Sequence, residues 1–371
     1  MRSLLLLVLF FLLAAGQPFA SQPRIKVLAD QDSAGPEGTN YLSLLMLLLA
    51  PEIDLLGITT VSGDQWVKQA TVFARHAVEL TGRSDVPVVQ GAEMPLLNSG
   101  SEQERRERLF GSYATWHGVF NPDAPPPDRT WEPPGGWPEM EARSGHAVDF
   151  IIETIRKNPG EVVLYCAGPL TNVALAVRLD PGIVQLTRSI YIMGGSSGGG
   201  PELNWWWDPE AAAIVLREPW KEIVVTPFET GGQAWSSADL MRPIVASGGR
   251  LANHVRSTYL DYKPQDSNTA WGMMWDEVTV ASLLDPTVIS KWEELYLDVV
   301  IDHGPTYGET RVWRKPPAVL SFFLAYSGPD PMDSESWTEH HRPPYGRHPA
   351  QVQMEVDLEK FNSLFIEVLS R

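Results

Sequence analysis

The sequence has a single cysteine among its 371 residues, and this scarcity removes one common source of stability. A lone Cys166 excludes an internal disulfide, so an ordinary hydrophobic core has to stabilise the fold. Cys166 ends the apolar segment 162–166, which is typical of a buried strand. We therefore expect its thiol to be packed in the core rather than to act as a nucleophile.

Basic residues are also scarce. The chain has 29 lysines and arginines against 46 aspartates and glutamates, which gives a formal net charge of −17. A surface with this excess of negative charge repels polyanions. The composition therefore argues against DNA or RNA as a partner.

Only the amino terminus carries a long apolar run. Arg2 precedes the apolar residues 4–15, and small or turn-forming residues follow as far as Ala20. A membrane span needs about 20 apolar residues, so this run is too short for one. The pattern predicts a signal peptide at residues 1–20 and a secreted or periplasmic protein with no membrane segment after processing. A retained amino-terminal anchor is the alternative.

Apolar strands and helical segments alternate through the rest of the chain. We expect strands at 25–29, 55–61, 86–89, 162–166 and 189–193, and helices at 41–49, 66–80, 145–157 and from 171. Such alternation predicts an α/β fold with a doubly wound, mostly parallel sheet and helices on both faces. No internal repeat or linker is visible, so we expect one domain at 24–371. Two irregular, proline-rich insertions, at about 98–143 and 327–349, interrupt it.

Polar side chains gather where the first two strands end. Asp30 and Asp32 close the first strand, Glu37 and Asn40 follow in the next turn, and Asp64 follows the second strand. In parallel sheets, ligands bind beyond the carboxyl ends of the strands. Carboxylate and amide oxygens suit Ca²⁺ or Mg²⁺, which would relieve their mutual repulsion. The alternative is that Asp32 only caps the helix that begins near residue 41.

Later motifs complete a pattern that resembles a known family. These motifs are Pro51–Gly63, Gly168–Asn172, the block Met193–Ala212 and the pair Trp275-Asp276. Together they make the chain, from Lys26 to Phe361, similar to the nucleoside hydrolases, also called inosine-uridine preferring nucleoside N-ribohydrolases. The resemblance implies the same α/β fold and Ca²⁺-dependent cleavage of the N-glycosidic bond of ribonucleosides. For an exported enzyme, it also implies a role in purine and pyrimidine salvage.

The resemblance also assigns roles to individual residues. The implied metal ligands are Asp32, Asn40, the backbone carbonyl of Ala167, and Asp276. Asp32 would also deprotonate the attacking water, while Asp30 and Glu37 would support the ligands from outside. The implied contacts with the nucleoside come from Thr39, Asp64, Met193, Glu202, Asn204 and Trp275. Family members are commonly dimers or tetramers, which implies a homodimer or homotetramer here.

Several positions depart from the family pattern. Thr39-Asn40 replaces two aspartates, whereas Asp64 stands where the family usually has asparagine. We hypothesise that this exchange preserves the number of carboxylates at the site. Trp275 replaces a histidine that helps the leaving base depart, and an indole cannot donate a proton at neutral pH. His117 is then a candidate catalytic acid, the alternative being an exposed loop histidine.

Tryptophans are abundant around these motifs. We expect Trp205-Trp206-Trp207 to be extended, with one face packed inside and the other stacked on the base or sugar. Trp116, Trp131 and Trp137, in the first insertion, are expected to pack in the core or to anchor their loop. The loop from Gly195 to Pro201 is shorter than its family counterpart, which implies the loss of one contact to the ribose.

These observations favour a secreted, Ca²⁺-dependent hydrolase of ribonucleosides or related ribosides. Two alternatives stay open. One is a catalytically impaired protein of the same fold that binds nucleosides or sugars, which the pair Thr39-Asn40 favours. The other is a hydrolase of a different glycosidic bond, which the tryptophans and the shortened loop favour. In each case the partner is a small molecule.

Overall fold

The computed structural model describes residues 23–35, 39–111, 116–261, 272–314 and 348–371, with only the backbone at Thr39. The expected signal peptide, Glu37 and nearly all of the second expected insertion lie outside these residues. Within them, no helix combines the length and the apolar character that crossing a bilayer requires.

The described strands and helices follow the expected alternation. The strands are β1 (Ile25–Gln31), β2 (Ile53–Thr60), β3 (Val88–Gln90), β4 (Val163–Ala167), β5 (Ser189–Met193), β6 (Gly200–Pro201), β7 (Ile223–Thr226), β8 (Trp235–Ser236), β9 (Gly272–Met273), β10 (Ile289–Val299), β11 (Glu309–Trp313) and β12 (Pro349–Val356). The helices are α1 (Thr39–Leu49), α2 (Val67–Leu80), α3 (Gly100–Phe110), α4 (Ala147–Lys157), α5 (Thr171–Leu179), α6 (Ile183–Leu186), α7 (Leu203–Trp207), α8 (Pro209–Leu216), α9 (Phe228–Gly231), α10 (Ala238–Ser247), α11 (Gly249–Val255), α12 (Trp275–Leu284) and α13 (Leu358–Leu369).

One large sheet organises the described part of the chain. Its strand order is β3-β2-β1-β4-β5-β7-β12-β10-β11-β6. All pairs from β3 to β12 are parallel, and β10, β11 and β6 extend one edge in antiparallel fashion. The expected doubly wound, mostly parallel α/β sheet is confirmed.

The strand order reverses between β1 and β4. The chain runs from β1 outward through β2 to β3, and then returns to add β4 on the other side of β1. At such a reversal the connections leave in opposite directions, and a crevice opens beyond the carboxyl ends of the two strands. Gln31 and Ala167, the last residues of β1 and β4, are register partners at this point.

Successive residues of the central strands face two separate cores. In β1, Val27 and Ala29 pack on the face covered by α1, α12 and α13, whereas Leu28 packs on the face covered by α4, α5 and α8. A strand buried on both faces is apolar at every position, which explains the continuous apolar runs in the sequence. Cys166 belongs to the second core, and burial raises the pKa of its thiol well above the ordinary value, as expected for a packed cysteine.

The first insertion contains a helix that the sequence pattern did not indicate. Ser99 caps α3 by accepting a hydrogen bond from the backbone N–H of Glu102 at 3.2 Å. Arg106 then anchors the helix, because the residue is only 3% exposed and its guanidinium lies 4.2 Å from the ring centroid of Tyr307. The expectation of an irregular segment was therefore wrong for residues 100–110, where a distant tertiary contact stabilises a polar helix.

The tryptophan triplet is helical, so the expectation of an extended segment was wrong. Glu202 caps α7, and all three tryptophans are buried, which leaves none of them free to stack on a ligand. Gly194 and Gly195 make room for the ring of Trp205. A Cβ atom on either glycine would lie 2.6 Å from an atom of that ring.

Two of the three tryptophans in the first insertion anchor their loop, as expected. Trp116 donates a hydrogen bond to Asp64, and Trp131 sets its ring edge-on to Phe73 with centroids 6.2 Å apart. Trp137 is 49% exposed, so core packing was wrong for this residue.

Candidate active site

Asp32 lies at the point where the strand order reverses. It directly follows β1 and is fully buried. Its Oδ1 accepts a hydrogen bond from the amide nitrogen of Asn40 at 2.6 Å, and its Oδ2 accepts one from the backbone N–H of Asp64 at 2.7 Å. The start of α1 and the turn after β2 therefore fix both oxygens of this carboxylate.

Asp276 comes to the same place from the first turn of α12. Gln31 donates hydrogen bonds from its amide nitrogen to Oδ2 of Asp276 at 2.7 Å and to the hydroxyl of Ser43 at 2.8 Å. Asp32 and Asp276 are close enough for the charge of Asp276 to raise the pKa of Asp32. The structure thus brings together the two carboxylates that the sequence analysis expected to share an ion.

Negative charge accumulates at this site. Burial raises the pKa of Asp32 well above its usual range, and the charges of Asp64 and Asp276 raise it further. Burial is also the largest cause of the raised pKa of Asp276, and the charges of Glu277, Asp64 and Glu202 raise this pKa further. Among the described residues, the main groups that shift either pKa include no lysine or arginine. A cation bound here would remove this repulsion.

Ala167 places a backbone carbonyl at the same edge of the sheet. It is the last residue of β4 and pairs with Gln31 in the strand register. Gly168 follows, and a Cβ atom there would lie 2.8 Å from the backbone nitrogen of Asp32. Only glycine allows this approach, which explains why the Gly168–Asn172 motif begins as it does.

These residues fit a hard divalent cation. Two carboxylates, an amide and a backbone carbonyl lie at this edge of the sheet, and all of them offer oxygen atoms of the type that Ca²⁺ prefers. The buried amide oxygen of Gln31, beside Asp276, has no hydrogen-bond partner. Three or more His, Cys, Asp or Glu side chains do not gather into a metal-binding group anywhere in the described part of the chain. A cation would therefore depend on Asn40 and the carbonyl of Ala167 as well as on Asp32 and Asp276.

Asp30 lies in β1, two residues before Asp32, and its carboxylate is bound by side chains of β2 and α5. Its Oδ1 accepts hydrogen bonds from Thr59 at 2.5 Å and from the side-chain nitrogen of Asn172 at 2.8 Å. Burial raises its pKa to about 6. Asn172 also donates to the carbonyl of Thr60 and accepts from the backbone N–H of Ala92. Asp30 and Asn172 therefore hold together the strands that carry the site.

Asp64 is tied to the first insertion. The indole N–H of Trp116 donates a hydrogen bond to Oδ1 of Asp64 at 2.5 Å, and Val119 donates from its backbone to the carbonyl of Gly63 at 2.9 Å. Gly118 has φ +55° and lies so close to that carbonyl that a Cβ atom would collide with it. The segment 116–120 is thereby fixed to the turn beside Asp32.

Three of the expected substrate contacts lie at the end of β5 or beyond it. Met193 ends that strand, and its carbonyl accepts a hydrogen bond from the side-chain nitrogen of Asn204 at 3.2 Å. The carboxylate of Glu202 accepts backbone hydrogen bonds from Gly195, Asn204 and Trp205. Burial raises the pKa of Glu202 to about 7, and the charge of Asp64 contributes to this rise. Glu202 therefore caps α7 and also belongs to the electrostatic environment of the site.

His117 and Trp275 each stack on another aromatic ring. The half-buried ring of His117 stacks on Trp206, with centroids 5.3 Å apart, and its Nε2 lies 3.1 Å from a carboxylate oxygen of Glu107. The expectation of an exposed loop histidine was therefore wrong. The indole of Trp275 stacks on Phe228 and donates its N–H to the carbonyl of that residue. Thr39 begins α1, and its side chain lies outside the described structure.

Sequence reasoning missed Gln31, Asn172, Trp116 and Phe228 as contact partners of the candidate residues. Gln31 was visible between two aspartates at a strand end, and Asn172 closes a motif that was singled out. Gln31 donates a hydrogen bond to Asp276 and Asn172 donates one to Asp30, so each amide binds an aspartate that was itself a candidate. No pattern in the sequence linked Trp116 to Asp64 or Phe228 to Trp275.

Comparisons with known proteins agree with this geometry. A family model described as inosine-uridine preferring nucleoside hydrolase matches residues 27–363. The chain is 29% identical over 293 residues to a pyrimidine-specific ribonucleoside hydrolase, RihB, of Escherichia coli, with 77% of this chain and 86% of the relative covered. It is 31% identical over 276 residues to an uncharacterised protein of Schizosaccharomyces pombe, covering 72% and 82%.

Solved structures show the same fold. A plant nucleoside hydrolase superimposes with a TM-score of 0.68 at 23% identity, and the match covers 94% of this chain and 99% of the other. An inosine-guanosine nucleoside hydrolase gives a TM-score of 0.69 at 21% identity, covering 93% and 99%.

Proposed function

We propose a calcium-dependent reaction for this chain, which belongs to the inosine-uridine preferring nucleoside hydrolase family and is therefore a hydrolase that cleaves the N-glycosidic bond of ribonucleosides. One observation carries the proposal. Asp32 and Asp276 are both buried beside Gln31, and the main groups that raise their pKa values beyond the effect of burial are other carboxylates. Such an arrangement is costly unless a cation joins it.

The residues present divide the chemistry between them. A bound Ca²⁺ would supply positive charge that orients the attacking water and the sugar hydroxyls and eases deprotonation of that water. Asp32 accepts the proton. Its carboxylate is held by Asn40 and by the backbone N–H of Asp64, so it need not reorient during the reaction.

The sugar is held on the opposite side of the crevice. Cleavage develops positive charge on the ribose, so nearby carboxylates stabilise the transition state more than the ground state. Asp64 and Glu202 supply this negative charge, while Asn204 supplies a neutral hydrogen-bonding group whose amide is held by the carbonyl of Met193. We assign Met193 to the wall of the sugar pocket because it ends β5 at the same edge.

Export and oligomeric state are further parts of the proposal. The apolar run at 4–15 behind Arg2 supports a cleaved signal peptide and a secreted or periplasmic enzyme. We also propose a homodimer or homotetramer. Amino-terminal sequencing of protein from the growth medium or periplasm tests the first part, and sedimentation equilibrium tests the second.

Hydrolysis assays with inosine, uridine and p-nitrophenyl riboside, each with and without EDTA, test the reaction. We expect turnover that EDTA abolishes, that added Ca²⁺ restores, and that Asp32→Ala removes. Turnover that persists in EDTA would contradict the calcium dependence.

Thermal melts with the same ligands separate hydrolysis from binding alone. Stabilisation by a nucleoside without any turnover would favour the catalytically impaired binding protein. Turnover of p-nitrophenyl riboside but of neither nucleoside would favour a hydrolase of another glycosidic bond.

A further inference from the structure

The loop between β5 and the sugar-side residues is rich in glycine. Residues 194–200 contain five glycines, and Gly195, Gly199 and Gly200 have positive φ values of +71°, +84° and +112°. Glycine allows the backbone many more conformations than other residues do, so ordering such a loop costs more entropy. The loop therefore needs contacts from outside to hold one conformation.

A single carboxylate supplies several of these contacts. Glu229 accepts hydrogen bonds from the backbone N–H groups of Ser197 at 3.0 Å and Gly198 at 3.4 Å, and from the hydroxyls of Ser196 and Ser197. Burial works to raise the pKa of Glu229, but its hydrogen bonds, led by that from Ser196, lower it below the ordinary value. Glu229 is therefore a charged anchor for three consecutive residues of the loop.

The short helix α9 holds this anchor in place. On one side of Glu229, the backbone N–H of Phe228 donates to the carbonyl of Gly195 at 2.9 Å. On the other side, the hydroxyl of Thr230 donates to the carbonyl of Gln353, in β12, at 2.6 Å. The position of the carboxylate is thereby tied to the central sheet.

The far end of the loop leads directly to Glu202 and Asn204. Strand β6, which ends the loop, pairs with β11 at only two positions. The carboxylate of Glu202 accepts a hydrogen bond from the backbone N–H of Gly195 at 2.8 Å, so the two ends of the loop meet there. A shift of the loop would therefore reach Glu202 both through the chain and through this hydrogen bond.

We propose that Glu229 is a positioning residue, which holds the loop from Gly195 to Pro201 and so orients Glu202 and Asn204 toward the ribose. This inference rests on the proposed hydrolysis of ribonucleosides. The contacts to the ribose strengthen as positive charge develops on the sugar, so their displacement costs more in the transition state than in the ground state. Loss of Glu229 should therefore lower kcat more than it raises KM.

Three variants test this role. Glu229→Ala removes all the hydrogen bonds to the loop, whereas Glu229→Gln keeps one acceptor oxygen and loses the charge. Glu222→Ala is the matched control, because Glu222 is also exposed and lies just before β7, at the opposite end of the strand that leads to α9. The measurements are kcat and KM for inosine, Ca²⁺ affinity by calorimetry, and hydrogen exchange of the backbone amides.

We expect Glu229→Ala to lower kcat about tenfold, with a smaller change in KM. Amides 195–202 should exchange faster, and exchange in the rest of the chain should stay unchanged, which shows that the variant is folded. Ca²⁺ affinity should not change, because the proposed ligands lie on other elements. Glu229→Gln should lie between Glu229→Ala and the wild type, and Glu222→Ala should resemble the wild type.

An unchanged kcat in Glu229→Ala would overturn the proposal, and so would a fall in Ca²⁺ affinity that accounts for the lost activity. If the wild type hydrolysed no nucleoside, the proposed function would fail by itself. Hydrogen exchange measures the order of the loop without turnover, so it tests the anchor separately. Exchange at 195–202 that is as slow in Glu229→Ala as in the wild type would show that Glu229 does not hold the loop.

Discussion

The side-chain nitrogen of Asn40 donates a hydrogen bond to Oδ1 of Asp32 at 2.6 Å. An amide thus steadies a buried carboxylate at a position where the family usually has a second carboxylate. The cost of keeping the site free of metal is therefore lower here than it would be with two aspartates. The amide oxygen of Asn40 is then the atom that can bind a cation.

The first prediction concerns this pair. Asn40→Asp replaces a donor with a negative charge next to Asp32, so we expect Ca²⁺ to bind about tenfold more tightly, a difference of about 1.4 kcal/mol. The same change should lower Tm in EDTA, and saturating Ca²⁺ should restore it. Calorimetric titration and thermal melts measure the two effects.

Asn158→Asp is the matched control. Asn158 lies just beyond α4 at the opposite end of the sheet, where it accepts a hydrogen bond from Lys26. A carboxylate there should not change Ca²⁺ affinity. Equal affinities for wild type and Asn40→Asp would show that this position does not contribute to a metal site.

The second prediction concerns the proposed exchange of Asp and Asn between the two positions. Asp64→Asn keeps the shape of the side chain and the backbone N–H that binds Asp32, but it removes one charge. We expect Ca²⁺ affinity to fall about tenfold. Trp116→Phe, which removes the hydrogen bond to Asp64 but keeps its charge, should have a smaller effect. An unchanged affinity in Asp64→Asn would end the idea that this residue compensates for Asn40.

The third prediction concerns the space beside Asp32. A Cβ atom on Gly63 would collide with Oδ2 of Asp32 and lie 2.7 Å from Cδ of Pro169. Gly63→Ala should displace the proposed base and reduce kcat/KM by about 100-fold. Gly304→Ala is the control, because a Cβ atom there meets nothing within 4 Å. Wild-type kinetics in Gly63→Ala would show that the position of Asp32 is not critical.

The fourth prediction concerns pH and stability. Asp208 caps α8, accepts a hydrogen bond from Thr171 at 2.6 Å, and has its pKa raised by burial from 3.8 to about 6. The folded protein therefore holds this proton more tightly than the unfolded chain does. As pH rises from about 4 to about 7, the contribution of Asp208 to the free energy of unfolding should fall by an amount on the order of 3 kcal/mol.

Asp208→Asn removes this titration and keeps a good capping side chain. The free energy of unfolding of the variant minus that of the wild type should therefore increase as pH rises from 4 to 7. Urea unfolding of both proteins at each pH gives the difference, in which the other titrating groups cancel. A difference that does not change with pH would refute the raised pKa.

The parallel sheet and the position of Asp32 could be predicted from sequence because the signals are local. Apolar runs of strand length alternate with helical segments, and the carboxyl ends of neighbouring strands must meet at one edge. Ala167 was assigned by the resemblance alone, since the predicted strand ended at Cys166, and the structure shows Ala167 as the last residue of β4.

Features that depend on distant contacts escaped prediction. Helix α3 is polar, and it is stabilised where Arg106 meets Tyr307, a contact with no counterpart in the local sequence. The hydrogen bond between Gln31 and Asp276 spans 245 positions of the chain. The conformation of Trp205 was mistaken because Glu202 was assigned to the ribose alone, whereas its carboxylate also caps the helix that contains the tryptophans.

Strand β12 has a consequence for how the protein can be made. In the described sheet, β12 lies between β7 and β10 and joins the antiparallel strands β10, β11 and β6 to the parallel strands. The ribosome synthesises β12 after all the other strands of this sheet. Until residue 356 has emerged, the sheet consists of two unjoined parts with open edges. The sheet can therefore be completed only after β12 has left the ribosome, and until then the open edges of both parts are exposed to aggregation.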